Sequence, residues 1–228
     1  MLLRLTTCCL LVGAFAFPAT AQTFKTAKEA LQEFNEFIGD WKGDGEDRET
    51  AKLELWKESM AWSWKIKGDD LALTAKFNDG KFFTEGTLRY LVPKKVYELT
   101  AVTPEKKQIV FTGTIKSKRL TLVGVDAETK DKYTIEMSTN NGGARLIYTV
   151  AKQKRGIGIS RKYLTVAHSK EGASVAAGKK DNECIVTGGR GTMTVSFNGK
   201  TYYVCCSGCR DEFNANPKKY VDEFEKKK

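Results

Sequence analysis

Histidine is almost missing from this chain: His168 is the only one in 228 residues. A metal site built from several histidines is thereby excluded, and any catalytic arrangement needing a histidine base has a single candidate. Proline is scarce as well, at four, so neither a collagenous repeat nor a proline-rich disordered chain fits. No cysteine lies between Cys9 and Cys184, which excludes a disulfide framework running through the body of the chain. Acidic residues fall short of basic ones, 28 against 38, for a net charge of +10. The basic residues are spread along the whole sequence, so they read as a solvated surface and imply no specific nucleic-acid partner. No paired-carboxylate, nucleophile–base or phosphate-loop motif is present, and carboxylates such as Asp44 and Glu46 read as turn or surface residues. The chain is therefore not expected to be an enzyme.

What is present supports a folded chain in two parts, with 41% hydrophobic and 29% charged residues. Arg4 precedes an apolar run from Leu10 to Phe17, followed by Pro18 and Ala19-Thr20-Ala21. Charged start, apolar middle and small-residue end read as a signal peptide over 1–21, cleaved near Ala21. Neither that run nor any later one is long enough to span a bilayer, so no transmembrane segment is expected. The mature chain is expected to be exported, to a periplasm or the exterior. Cleavage removes Cys8 and Cys9 and leaves Cys184, Cys205, Cys206 and Cys209, all in the last forty-five residues.

Thr26-Ala27-Lys28-Glu29 has the spacing of a capping box, and Ala27, Ala30, Leu31, Phe34, Phe37 and Ile38 follow a helical period up to Gly39. From Trp41 to about Ala167 the period becomes two. Trp62, Trp64 and Ile66 alternate with polar residues, as do Ile109, Phe111, Gly113 and Ile115, and later Leu146, Tyr148 and Val150. Turn signals recur every ten to thirteen residues, as in Asn78-Asp79-Gly80 and Asn140-Asn141-Gly142-Gly143, which is the rhythm of consecutive antiparallel hairpins. Nine to eleven such strands leave two open edges unless the sheet closes. The expected fold is mainly β: an up-and-down antiparallel barrel over 22–167 preceded by one helix, a linker over 168–182, and a small hairpin-and-helix module over 183–228.

The segment Phe37-Ile38-Gly39-Asp40-Trp41-Lys42-Gly43, a helix ending in Gly followed by Gly-x-Trp at the first strand, resembles the start of lipocalin-like barrels, closest to their uncharacterised exported branch. That resemblance implies a calycin-type barrel with a Trp closing one end. Such barrels often hold a small apolar ligand, and the inward candidates are Trp62, Trp64, Phe77, Leu88, Tyr90, Phe111 and Tyr148, against the plainer reading that these side chains fill the barrel. Within the group, nitrobindins carry haem on one histidine near the last strand. His168, however, follows the strand Tyr163–Ala167 at the head of a polar linker, so it is expected to be solvent-exposed and haem is not expected.

Beyond the linker, Asn198-Gly199 between two alternating runs is a strong hairpin signal. Ser207-Gly208 opens a helix whose first turn holds Cys209, where the helix dipole favours a thiolate, and Asn216-Pro217 opens another. A cysteine before the hairpin, a pair at its end and one at a helix start gather soft ligands around one point, as in small zinc-binding folds. Cys-x-Val-Thr-Gly from Cys184, Tyr-Tyr-x-Cys-Cys from Tyr202, Gly208-Cys209 and Asn-Pro-x-x-Tyr from Asn216 together resemble the YHS domain and the related TRASH pattern. The resemblance implies heavy-metal binding by Cys184, by Cys205 or Cys206, and by Cys209. Adjacent residues on a strand point to opposite faces, so one of the pair Cys205 and Cys206 is the easier ligand, and the sequence does not choose. Zinc is expected ahead of copper. A disulfide involving Cys184 and a redox-active Cys206-x-x-Cys209 are the competing readings. The alternative for the whole chain is a small-ligand carrier whose zinc or disulfide only folds the appendage.

Overall fold

The structure is a computed structural model and describes residues 22–50, 52–172 and 182–226. The expected signal peptide, with Cys8 and Cys9, and the central part of the expected linker lie outside the described residues.

The first described element is α1 (Ala27–Gln32), capped as its sequence requires: the Thr26 hydroxyl accepts from the Glu29 N–H, and the Glu29 carboxylate accepts from the Thr26 N–H. A single 3-10 turn over Asn35–Phe37 follows. Gly39, with φ +123°, then turns the chain into the first strand.

Ten strands form the body: β1 (Gly39–Asp47), β2 (Glu54–Lys67), β3 (Asp70–Asn78), β4 (Glu85–Leu91), β5 (Val96–Val102), β6 (Gln108–Lys116), β7 (Arg119–Val125), β8 (Lys132–Asn140), β9 (Arg145–Gln153) and β10 (Arg161–Lys170). Each pairs antiparallel with the next, and β1 pairs with β10 from Trp41↔Lys170 to Asp47↔Leu164, which closes the barrel. Closure satisfies both edge strands, the outcome that the meander of amphipathic hairpins demands. Among the described residues no helix is long and apolar enough to cross a membrane.

Alternation sends one side chain in two to the interior. Trp62, Trp64, Phe77, Leu88, Tyr90, Phe111 and Tyr148 are all buried, as expected of inward positions. They pack largely on other rings: Phe77 and Phe83 lie 5.5 Å apart, Tyr90 and Tyr97 4.9 Å, and Phe37 and Trp62 5.7 Å. Trp41 closes one end. Its indole N–H donates to the Phe37 carbonyl at 2.7 Å, and the Lys170 ammonium sits 4.9 Å from its ring centroid while donating to the Glu36 carbonyl. Burial, aided by the nearby Arg190 charge, lowers the pKa of Lys170 to about 8. At the opposite end the β3–β4 loop folds Phe82 and Phe83 inward, and Lys81 ties that loop to Asp47 and Glu54.

One expectation is corrected here. His168 is neither exposed nor in a linker: β10 runs on to Lys170, and His168 is fully buried inside the barrel. Leu164, Val166 and His168 keep the inward period, and the polar neighbours Ser169 and Lys170 disguise it. Space for the imidazole comes from Gly43 across the β1–β10 pair, where a Cβ would fall 2.4 Å from the ring. The imidazole Nε2 lies 3.1 Å from Glu58 Oε1, and the same carboxyl group accepts from the Tyr148 hydroxyl at 3.0 Å and the Trp56 indole at 2.9 Å. Burial and the adjoining Glu58 hold the Tyr148 hydroxyl well above its ordinary pKa, so it stays a donor.

The C-terminal part contains a hairpin, β11 (Met193–Phe197) and β12 (Lys200–Val204), then α2 (Ser207–Ala215) and α3 (Pro217–Glu225). Asn198 and Gly199 take φ of +49° and +74°, the two left-handed residues that a two-residue hairpin needs. This part is packed on the closed end of the barrel. Gly208 of α2 lies against the Trp64 carbonyl of β2, and the Thr187 carbonyl accepts from Gln32 and Asn35 beside α1. Asn35 also accepts from the Trp64 indole, joining helix, barrel and appendage in one set of bonds.

Candidate metal centre

Three separate local structures bring the cysteines together. Cys184 begins a tight turn in which the Gly188 N–H donates to its carbonyl, and an isolated parallel bridge pairs it with Tyr203 of β12. Cys205 and Cys206 follow the last residue of β12, and Cys206 occupies the N-cap position of α2. Cys209 lies in the first turn of that helix, where free N–H groups and the helix dipole favour negative charge.

All four are buried and none forms a disulfide. The sulfurs of Cys184, Cys205 and Cys209 lie within 4.8 Å of one another, a group that could hold a metal ion. Cys206 stands outside that group, 3.9 Å from Cys205, and its sulfur accepts from the Trp64 N–H of β2 at 3.4 Å. The geometry thus brings together the ligand set whose spacing runs through Cys205, and it turns Cys206 toward the barrel.

Thr187 is the residue that sequence reasoning missed. Its hydroxyl donates to Cys184 at 3.3 Å and lies 3.5 and 3.8 Å from the sulfurs of Cys205 and Cys209, capping the trio. The turn spacing Cys184-x-x-Thr187 was a visible signal, since a hydroxyl three residues on can reach back to the first side chain of a turn.

The protons are divided unevenly across this cluster. Hydrogen bonds from Cys205 and Cys209, helped by Thr187, hold the Cys184 thiol far below its ordinary pKa. Bonds from Cys205 and Cys209, with backbone N–H donors from Cys209 and Trp64, do the same for Cys206. Cys205 and Cys209, whose protons serve those bonds, are pushed up, and burial adds to the effect. Such a cluster already carries thiolate character, the form that binds soft and borderline metals. A cleft of about 230 Å³ lined by Gln32, Glu183, Cys184, Thr187, Gly188 and Phe224 opens beside Cys184.

The aromatic candidates of the barrel do not share this site. Trp64 alone touches it, through its backbone N–H. Comparison with known proteins adds little: no protein-family model matches the chain, and no curated protein matches it. Among solved structures, the S-type phycobiliprotein lyase CPES from Guillardia theta is similar over 66% of this chain and 96% of that chain, at 7% identity and a TM-score of 0.45. That likeness is too weak to bear on the thiol cluster.

Proposed function

We propose that this is an exported binding protein that takes up a soft or borderline transition metal ion through Cys184, Cys205 and Cys209. The observation that carries the reading is the mutual approach of three buried, unpaired sulfurs from three separate elements, within 4.8 Å. Chance rarely collects three of the four described thiols at one buried point, and thiolates at this spacing match the reach of a single ion with metal–sulfur bonds of about 2.3 Å. The resemblance of this region to YHS and TRASH sequences agrees with it, and the Thr187 hydroxyl supplies the outer hydrogen bond that metal-bound thiolates ordinarily receive.

In this reading the lipocalin-like barrel is the scaffold. Its inward rings pack on one another, and the Phe82–Phe83 loop covers the end remote from the cluster. The mature protein, purified untagged under mild reduction, is expected to carry stoichiometric metal, with its four thiols reactive only after denaturation. Absence of metal together with two or no free thiols would transfer the cluster to a structural disulfide.

A further inference from the structure

The exposed apolar side chains of the barrel are gathered at one end. Antiparallel pairing puts the β1–β2, β3–β4, β5–β6, β7–β8 and β9–β10 loops together at the end remote from Trp41. Among the described residues seven large apolar side chains are exposed. Six of them, Leu53, Leu55, Val110, Val125, Ile157 and Ile159, lie in these loops or in the strand ends beside them. Scattered exposed leucines or valines need no explanation, but six on one rim do.

The β9–β10 loop has a fixed shape. Gly156, with φ +77°, makes the bend, the Ile157 N–H donates to the Lys154 carbonyl, and the Gln153 amide donates to the Ile157 carbonyl, each at 3.0 Å. The Arg155 N–H donates to the Asp131 carboxylate at 3.0 Å, which ties this loop to the one between β7 and β8. Ile157 and Ile159 are thus held in solvent, 51% and 64% exposed. The strand registers extend the apolar row along the outer wall. Phe111 pairs with Gly124, and the next step of that register puts Val110 beside Val125, which in turn lies opposite Lys132.

Basic side chains surround these tips. Lys154 and Arg155 precede the isoleucines, Arg161 and Lys162 follow them, and Lys130 and Lys132 line the other side of a shallow cleft of about 420 Å³. All six are exposed, and among the described residues none of them forms an ion pair. Carboxylates nearby are already engaged, Glu49 and Asp131 by Lys152 and Glu128 by Lys107. The rim therefore presents apolar tips and unneutralised positive charge together.

From this pairing we propose that the open end of the barrel docks on an anionic phospholipid bilayer, with Ile157 and Ile159 between the headgroups and the six basic side chains on the lipid phosphates. Exposed aliphatic tips fit a fluid surface that deforms around them, and a ring of basic groups fits a plane of phosphates. The tips offer isoleucine in place of the aromatic faces on which single-stranded nucleic acid stacks. Seated on this rim, the barrel holds the thiol cluster at its far end, away from the bilayer.

The test is vesicle flotation of the reduced mature protein, from Gln22 onward, with phosphatidylcholine alone and with phosphatidylcholine containing phosphatidylglycerol. Binding to the anionic vesicles only, weakening as salt is raised, is expected. Lys154→Gln with Arg155→Gln should lower the partition by roughly 30-fold, about fivefold for each charge removed near the surface. Lys94→Gln with Lys116→Gln removes the same charge from exposed positions at the opposite end and should leave the partition unchanged. Ile157→Ser with Ile159→Ser keeps the charge and should lower the partition about tenfold; both side chains stand in solvent, so the fold is kept. Equal binding to neutral vesicles, or none to either kind, overturns the proposal. Equal losses from the two charge pairs overturn it as well, because the net charge of +10 then acts without this rim. Unchanged vesicle binding by the isoleucine variant also overturns it and makes the rim a surface for soluble polyanions.

Discussion

Gly208→Ala separates two pictures of the C-terminal part by the sign of its effect. Gly208 is the second residue of α2, and its φ is not in the positive range. In an appendage folding by itself, alanine there favours the helix by roughly 0.5–1 kcal/mol. In the docked structure the new Cβ would stand 1.8 Å from the Trp64 carbonyl oxygen and 2.8 Å from its carbon. That carbonyl belongs to β2, which is locked to β3 by the Trp64↔Leu73 pairing, so the helix is the part that must yield. Restoring even the closest tolerable contact moves α2 outward by about 1 Å, which strains the 3.4 Å bond from Trp64 N–H to Cys206. Overpacking of this kind costs about 1–3 kcal/mol and a lost hydrogen bond about 1 more, so the net effect is a destabilisation of about 2–3 kcal/mol. At this chain size that is a fall of about 5–10 °C in Tm. Thermal unfolding followed by tryptophan fluorescence reads it directly, since Trp64 lies at the contact. A midpoint unchanged or raised would refute the docking argument.

Other substitutions probe the barrel. Glu58→Ala removes the partner shared by Trp56, Tyr148 and His168 in a buried setting, and denaturant unfolding should show a loss of about 3–5 kcal/mol; under about 1 kcal/mol would mean that the three side chains find other partners. Gly43→Ala should fail to accumulate as folded protein, because its Cβ meets the His168 ring at 2.4 Å, and His168→Ala in the same chain should partly restore it; equal stability of Gly43→Ala and the unaltered chain would contradict the burial of His168. Asp126 accepts from the N–H groups of Thr129 and Glu128 in the β7–β8 loop, which lowers its pKa, so its contribution is complete above the unfolded value of about 3.9 and is lost as pH falls through the folded one. Asp126→Ala should therefore cost about 1–2 kcal/mol at pH 7, with the gap closing below about pH 4, and a gap independent of pH would assign it to packing instead.

The barrel was legible because its signals are periodic and local. Alternation fixes which side chains of β2, β3, β6 and β9 turn inward, and glycine, asparagine and proline mark the turns, so closure follows from the need to pair two edges. His168 was not legible, because its inward position is set by the partner strand. Only the β1–β10 register places Gly43 opposite it, and that register joins the first strand to the last. Glu58 is hidden for the same reason: a glutamate between Lys57 and Ser59 reads as surface until Tyr148, ninety residues away, is placed against it.

The thiol cluster divides along the same line. Three of its members were readable, since every cysteine after Cys9 lies in the last forty-five residues and Cys184, Cys205 and Cys209 come together there. The choice between Cys205 and Cys206 was not, because it depends on what each residue faces. Cys206 faces the barrel, where the Trp64 N–H beyond the paired part of β1 is free to meet its sulfur. The barrel is thus more than a support for the appendage: it supplies the donor that orients one sulfur, the carbonyl surface that requires Gly208, and, through Gln32 and Asn35, the bonds that hold the turn carrying Cys184 and Thr187. A site assembled from contacts on both parts ties metal occupancy to the docking of α2. Loading the cluster should therefore raise the unfolding midpoint of the whole chain and slow hydrogen exchange at Trp64, and a midpoint shift confined to the last forty-five residues would show that the two parts do not communicate.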